Sequence, residues 1–60
     1  MKAYYHVIED SGYGRIGCHG YFKNKKDADK EVMRLQNFFP QYFFYVYESI
    51  SKKEPPIVTI

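Results

Sequence analysis

The spacing of apolar residues changes twice along this chain, and this change constrains the fold more than any other sequence feature. In residues 15–22 the apolar side chains recur every second residue, which is typical of a half-buried strand. In residues 42–50 this period of two is found again. Between these segments the apolar residues follow helical spacing, at Ala28, Val32, Leu35 and Phe39. The pattern predicts strands on both sides of a single helix.

Turn-forming residues separate the predicted strands. Residues 2–9 are rich in Tyr, Val and Ile and are predicted to form the first strand. Residues 10–14 contain Asp, Ser and Gly, which predicts a hairpin turn leading into the second strand at residues 15–22. The third strand is predicted at residues 42–50. The chain would therefore follow the order strand, strand, helix, strand.

The predicted helix, from about Lys25 to Phe39, has recognisable signals at both ends. Asn24 is a good N-cap, because its side chain can accept from a free backbone N–H of the first turn. Asp27 and Asp29 lie near that turn, where the helix dipole favours negative charge. Pro40 ends the pattern, because its ring cannot continue a helix.

A hairpin followed by a right-handed crossover predicts the arrangement of the strands. We expect an α+β fold, a three-stranded antiparallel sheet of ββαβ order with strand order 2-1-3, and one helix packed on one face. Residues 1–50 would form a single domain. Residues 51–60 would form a polar, Pro-bearing tail whose β-prone end, Ile57 to Ile60, could add a short strand.

Strict alternation assigns the side chains of the second and third strands to two faces of the sheet. Those predicted to lie under the helix are Ile16, Cys18, Phe22, Phe44 and Val46. Those predicted to lie on the other face are Gly17, His19, Tyr21, Phe43, Tyr45 and Tyr47. The second group is too aromatic to be left in contact with solvent alone.

Length and composition exclude several classes of protein. With 60 residues, of which 45% are hydrophobic, the chain can bury one small core. The single cysteine cannot close an internal disulfide, the usual support of small secreted domains. No apolar run is long enough to span a membrane, and the first residues lack the apolar region of a signal peptide. We therefore expect a soluble cytoplasmic protein with no membrane partner.

Residues able to carry out catalysis or bind a metal are few. Cys18 and His19 are adjacent on a strand and should point to opposite faces, so Cys18 is interpreted as a small buried apolar residue. His6 and His19 could be cross-strand neighbours on the face away from the helix. The glycines in residues 12–17 lead into a strand and not into a helix, so they predict a turn and not a phosphate-binding loop. The acidic residues are scattered, and we expect no enzyme activity, no metal site and no cofactor.

A basic stripe on the helix is a candidate nucleic-acid contact. It comprises Lys26, Lys30 and Arg34 at spacing i, i+4 and i+8, together with Lys23 and Lys25 just before them. Acidic residues interleave with these positions, and the net charge is only +2. A solvated helix face is therefore favoured over a nucleic-acid site, which usually requires a larger excess of positive charge.

The predicted aromatic face is the stronger functional signal. Its candidate contact residues are Tyr21, Phe43, Tyr45 and Tyr47. Exposed Tyr and Phe can bind a protein partner, can pack against a second copy of the chain in a homodimer, or can stack nucleic-acid bases. A protein interface is favoured over nucleic acid, because the aromatic motif of RNA-binding sheets is absent and the basic residues lie mainly on the helix.

Five features of the sequence occur together in one layout: the first strand in residues 2–9, the glycine hairpin, the pair Tyr21-Phe22, a helix that opens with an Asp-Ala pair, and the helix exit Phe38-Phe39-Pro40. This layout resembles that of small bacteriophage accessory proteins, in particular the T7-type phage inhibitors of bacterial RNA polymerase. The resemblance implies binding to a host or defence protein, such as RNA polymerase, in the host cytoplasm. In that family the third strand and a charged edge make the contact. The arginines that the family uses after that strand have no match in this chain, where Lys52 and Lys53 are only approximate substitutes.

Overall fold

The computed structural model describes residues 3–53 and Pro55. Its elements, in chain order, are β1 (Tyr4–Asp10), β2 (Ile16–Phe22), α1 (Lys25–Phe38) and β3 (Phe43–Ser49). The strands form one sheet in the order β2-β1-β3, and both outer strands run antiparallel to β1. The predicted α+β fold and its strand order are therefore confirmed. The extra strand predicted for residues 57–60 lies outside the described residues.

Helix α1 begins and ends at the signals identified in the sequence. The side-chain oxygen of Asn24 accepts a hydrogen bond from the Lys26 N–H at 3.1 Å, and Asp27 lies in the first turn. Phe39 is the C-cap, one residue beyond the helix, and its N–H donates to the Leu35 carbonyl at 2.8 Å. The chain then enters Pro40, which lacks the N–H that another helical residue would donate.

The hydrophobic core lies between α1 and one face of the sheet. Its buried residues are Val7 in the central strand, Ala28 and Leu35 in the helix, and Phe44 in β3. Partly buried apolar residues pack around them, namely Tyr5, Phe22, Val32, Tyr42 and Val46. The core is small, as expected for a chain that can cover only one face of its sheet with one helix.

A β-bulge in β2 changes which side chains lie under the helix. His6 pairs with Tyr21 and Ile8 pairs with Cys18, so Val7 of β1 lies opposite two residues of β2, His19 and Gly20. The extra residue breaks the alternation of β2. Phe22 packs under the helix as predicted, but Ile16 and Cys18 lie on the opposite face. Their predicted place under the helix is therefore wrong, because strict alternation does not hold through a bulge.

Gly20 provides the backbone conformation of this bulge. Its φ is 122°, and a Cβ built there would have no atom within 4 Å. The variant Gly20→Ala should therefore lose about 1 to 2 kcal/mol of unfolding free energy through backbone strain and not through a steric clash. Urea denaturation of synthetic chains would measure the loss, with D-Ala at position 20 as the control, because a D-residue favours positive φ. An L-Ala chain as stable as the Gly20 chain would contradict this explanation.

Candidate protein-binding face of the sheet

We call the sheet face opposite α1 the distal face, and the strand register defines its residues. They are Tyr4, His6, Ile8 and Asp10 of β1, Ile16, Cys18 and Tyr21 of β2, and Phe43, Tyr45, Tyr47 and Ser49 of β3. All four residues predicted to contact a protein lie on this face. They flank the central strand, with Tyr21 on one side and the other three on the opposite side.

The aromatic residues of the distal face are exposed to different extents. Phe43 is 68% exposed, Tyr21 40% and Tyr45 38%, whereas Tyr47 is half-buried. The ring of Tyr21 packs edge-on against Tyr4, with 5.2 Å between the ring centroids. The distal face therefore presents three accessible rings, one of which is held in place by a second ring.

The centre of the distal face is covered. His6 is 1% exposed and Ile8 is fully buried, although neither side chain lies on the helix side of the sheet. The Nε2 atom of His6 lies 2.8 Å from the carbonyl oxygen of Ser51, and Pro55 is buried. The chain therefore turns back after β3, and Ser51 lies over the central strand on the distal face.

A second contact holds this returning segment. The Lys52 ammonium lies 5.8 Å from the centroid of the Tyr4 ring, a favourable cation–π distance. The sequence did not reveal either contact, because Ser, Lys and Pro after a strand are also typical of a solvated tail. The signal that the sequence offered was a histidine in the predicted first strand, because a polar ring that becomes buried needs a hydrogen-bond partner.

The hydrogen bonds of His6 define its tautomer. The Ser51 carbonyl can only accept, so Nε2 carries the hydrogen and Nδ1 is left as an acceptor in the neutral ring. The Cys18 sulfur lies 3.9 Å from Nδ1 and 3.6 Å from the Gly20 carbonyl oxygen, and the thiol can donate to one of them. Cys18 is half-buried on the distal face and was predicted to be buried under the helix.

His19 lies on the helix side of the sheet and not beside His6. Its Nε2 is 2.7 Å from the Glu9 carboxylate, and its ring centroid is 5.8 Å from that of Phe44. The predicted pairing of the two histidines is wrong for the same reason as the placement of Cys18, because the bulge turns His19 to the other face. Within residues 3–53 and Pro55, no group of three or more His, Cys, Asp or Glu is placed to hold a metal ion.

Ion pairs divide the basic stripe of the helix. Arg34 donates to both carboxylate oxygens of Glu31, at 2.9 and 2.6 Å. This hydrogen bonding lowers the pKa of Glu31 and raises the pKa of Arg34. Lys25, another member of the stripe, pairs with Asp29 at 3.2 Å. Within the described part of the chain, the remaining members of the stripe, Lys23, Lys26 and Lys30, have no ion pair.

A second exposed apolar cluster lies at the end of α1. Phe38 is 68% exposed, and the Arg34 guanidinium carbon lies 5.8 Å from its ring centroid. Phe39 is 40% exposed, and its ring lies 6.0 Å from that of Tyr42 and 6.4 Å from that of Phe44. Phe39 thus connects this cluster to the core, as its position on the helical stripe predicted.

No family model matches this chain, and neither a curated protein nor a solved structure matches it. Among the described residues, no helix is long and apolar enough to cross a membrane.

Proposed function

We propose that this protein is a small binding module that attaches to another protein through its distal face and acts without catalysing a reaction. The observation that supports the proposal is the exposure of Tyr21, Phe43 and Tyr45 on one face of one sheet. Tyr and Phe are enriched at protein interfaces, where they bury a large area and lose little side-chain entropy. Burial of each ring by a partner would contribute about 1.5 to 3 kcal/mol.

The surroundings of Tyr21 and Tyr45 favour binding, because they reduce the conformational entropy that these side chains lose when a partner binds. Tyr21 is packed against Tyr4, and its ring centroid is also 5.9 Å from that of His6, which is buried. Tyr45 stands beside Ile8, which is fully buried. Rings that are fixed before binding lose less conformational freedom on association.

The chemistry of the distal face indicates the kind of partner. Its accessible part carries two phenol hydroxyls and one phenyl ring, which fit an apolar protein surface with hydrogen-bonding groups at its edge. The resemblance to phage inhibitors makes a bacterial host or defence protein the proposed target, and RNA polymerase the first one to test. The binding would take place in the host cytoplasm.

The proposal is tested by binding of the purified protein to bacterial RNA polymerase, and by capture of partners from a bacterial lysate followed by mass spectrometry. The test variant is Tyr21→Ser with Tyr45→Ser. The control is Tyr13→Ser, because Tyr13 is 90% exposed but lies in the hairpin loop between β1 and β2. We expect the double variant to lose at least tenfold in affinity for the partner, as for central aromatic anchors, and the control to bind like the parent chain.

Each possible result has a defined meaning. Retention of the partner by the double variant would contradict the proposal. Binding to another captured protein but not to RNA polymerase would support the role as a protein-binding module and exclude RNA polymerase as its target. Binding to DNA or RNA that weakens steeply with salt, and that is lost when Lys23, Lys26 and Lys30 are changed to Glu, would replace the proposal with a nucleic-acid-binding function.

A further inference from the structure

We propose that the outer edge of β3 pairs antiparallel with the same edge of a second copy of this chain, so that two sheets join into one continuous six-stranded sheet. This inference concerns the strand edge and does not depend on the function proposed for the distal face. Its support comes from the difference between the two edge strands, from the register available to β3, and from the side of α1 that lies toward this edge.

The two edges of the sheet differ in how well they could accept another strand. In β2, the bulge at His19 and Gly20 interrupts the regular edge, and such bulges are a common protection against edge-to-edge pairing. In β3, all seven residues pair with β1 in unbroken register. This strand contains no Pro, Lys or Arg, and Glu48 is its only charged residue. Within residues 3–53 and Pro55, no strand pairs with its outer edge.

The sequence of β3 is compatible with pairing to itself. Full overlap of two antiparallel copies centres the register on Val46, which then faces Val46 of the second copy. Tyr45 faces Tyr47, and Phe43 faces Ser49. Facing pairs of this kind lie on the same side of the joined sheet and contribute through aromatic and β-branched contacts.

The charges also permit this register. Glu48 faces Phe44 of the second copy, so the two carboxylates of a dimer do not face each other. A twofold axis perpendicular to the sheet would place both helices on the same side and both distal faces on the other. The joined sheet would remain continuous, because residues that face each other have the same orientation in both copies.

One side of α1 lies toward the β3 edge and carries an exposed apolar residue. The Gln36 amide donates to the Tyr42 carbonyl at 2.7 Å, just before β3 begins, which places this side of the helix toward β3. Met33, one turn earlier on the same side, is 68% exposed. Glu31 lies on the opposite side of α1, toward β2, since His19 of β2 is close enough to lower its pKa. Arg34 and Phe38 lie on that side too, because Arg34 is hydrogen-bonded to Glu31 and stands beside the Phe38 ring. In the dimer, Met33 would approach the helix of the second copy.

The register is tested by disulfide trapping in chains that carry Cys18→Ala. One chain carries Phe43→Cys and the other Ser49→Cys, and the two are mixed in a glutathione redox buffer. Facing residues of antiparallel strands have Cα atoms about 4.5 to 5.5 Å apart, which suits a disulfide. We expect the mixed 43–49 disulfide to exceed both homodisulfides severalfold. The control pair, Tyr13→Cys with Ser49→Cys, should give only the random proportion.

Sedimentation equilibrium of the unmodified chain gives an independent measurement. We expect the dimer to become populated as the concentration is raised to about 200 µM. Met33→Glu should weaken the dimer about tenfold, because it brings like charges together, whereas Phe38→Glu should leave it unchanged. A chain that stays monomeric over this range would overturn the proposal. Predominant 43–43 disulfides would also overturn it, because they would indicate face-to-face packing of the sheets.

Discussion

Replacing Phe44 with Ala should lower the free energy of unfolding by about 3 to 4 kcal/mol. Phe44 is 8% exposed, belongs to the core cluster, and lies close to the rings of Phe39 and His19. A domain of this size has a total stability of roughly 3 to 5 kcal/mol, so most of the variant should be unfolded at room temperature. Circular dichroism and urea denaturation would measure the loss.

The neighbouring residue provides a matched control. Phe43 has the same side chain but is 68% exposed on the distal face, so Phe43→Ala should cost less than about 1 kcal/mol. Equal destabilisation by the two substitutions would show that both rings belong to a core, and would contradict the assignment of the two faces of β3.

The variant His6→Ala should lower the free energy of unfolding by about 2 to 3 kcal/mol. It removes a buried ring from the central strand and leaves the Ser51 carbonyl without the 2.8 Å hydrogen bond that it accepts. The urea midpoint would record the loss. Limited proteolysis after Lys52 or Lys53 should become faster at the same time, because the returning segment loses its contact with β1.

Two further variants separate the hydrogen bond of His6 from other effects of the substitution. His6→Gln keeps a side-chain N–H donor and should recover part of the stability that His6→Ala loses. His19→Ala removes a histidine whose side chain is 33% exposed beside Glu9, and it should cost no more than about 1 kcal/mol. A smaller effect of His6→Ala than of His19→Ala would contradict the role assigned to the buried ring.

The order of elements could be predicted because local signals and hydrophobic period agree in this chain. Asn24 caps the helix, Pro40 follows its end, and Leu35 and Phe44 lie where the two periods place core residues. A crossover that returns the third strand beside the first keeps every pair of neighbouring strands antiparallel, and the structure has this order. Each of these signals acts within a few residues or follows from chain connectivity, so it can be recognised without knowledge of tertiary contacts.

The sheet face to which each side chain of β2 points could not be predicted, because a single extra residue reverses the orientation of the side chains in part of the strand. A glycine in a strand does not by itself locate a bulge, because the position of the extra residue relative to Val7 depends on the pairing with β1. The wrong placements of Ile16, Gly17, Cys18 and His19 all follow from this one extra residue. The contact between His6 and Ser51 was also inaccessible, since it joins residues 45 positions apart through a backbone carbonyl, which every residue has.

The bulge in β2 also determines whether edge pairing can continue beyond two copies. Growth of a fibre requires each added molecule to present a fresh regular edge to the next one. If two chains join through β3, each end of the joined sheet is a β2 strand, and the bulge interrupts its edge. The assembly would then close at two copies, and an aromatic-rich strand edge would be used without the risk of open-ended aggregation.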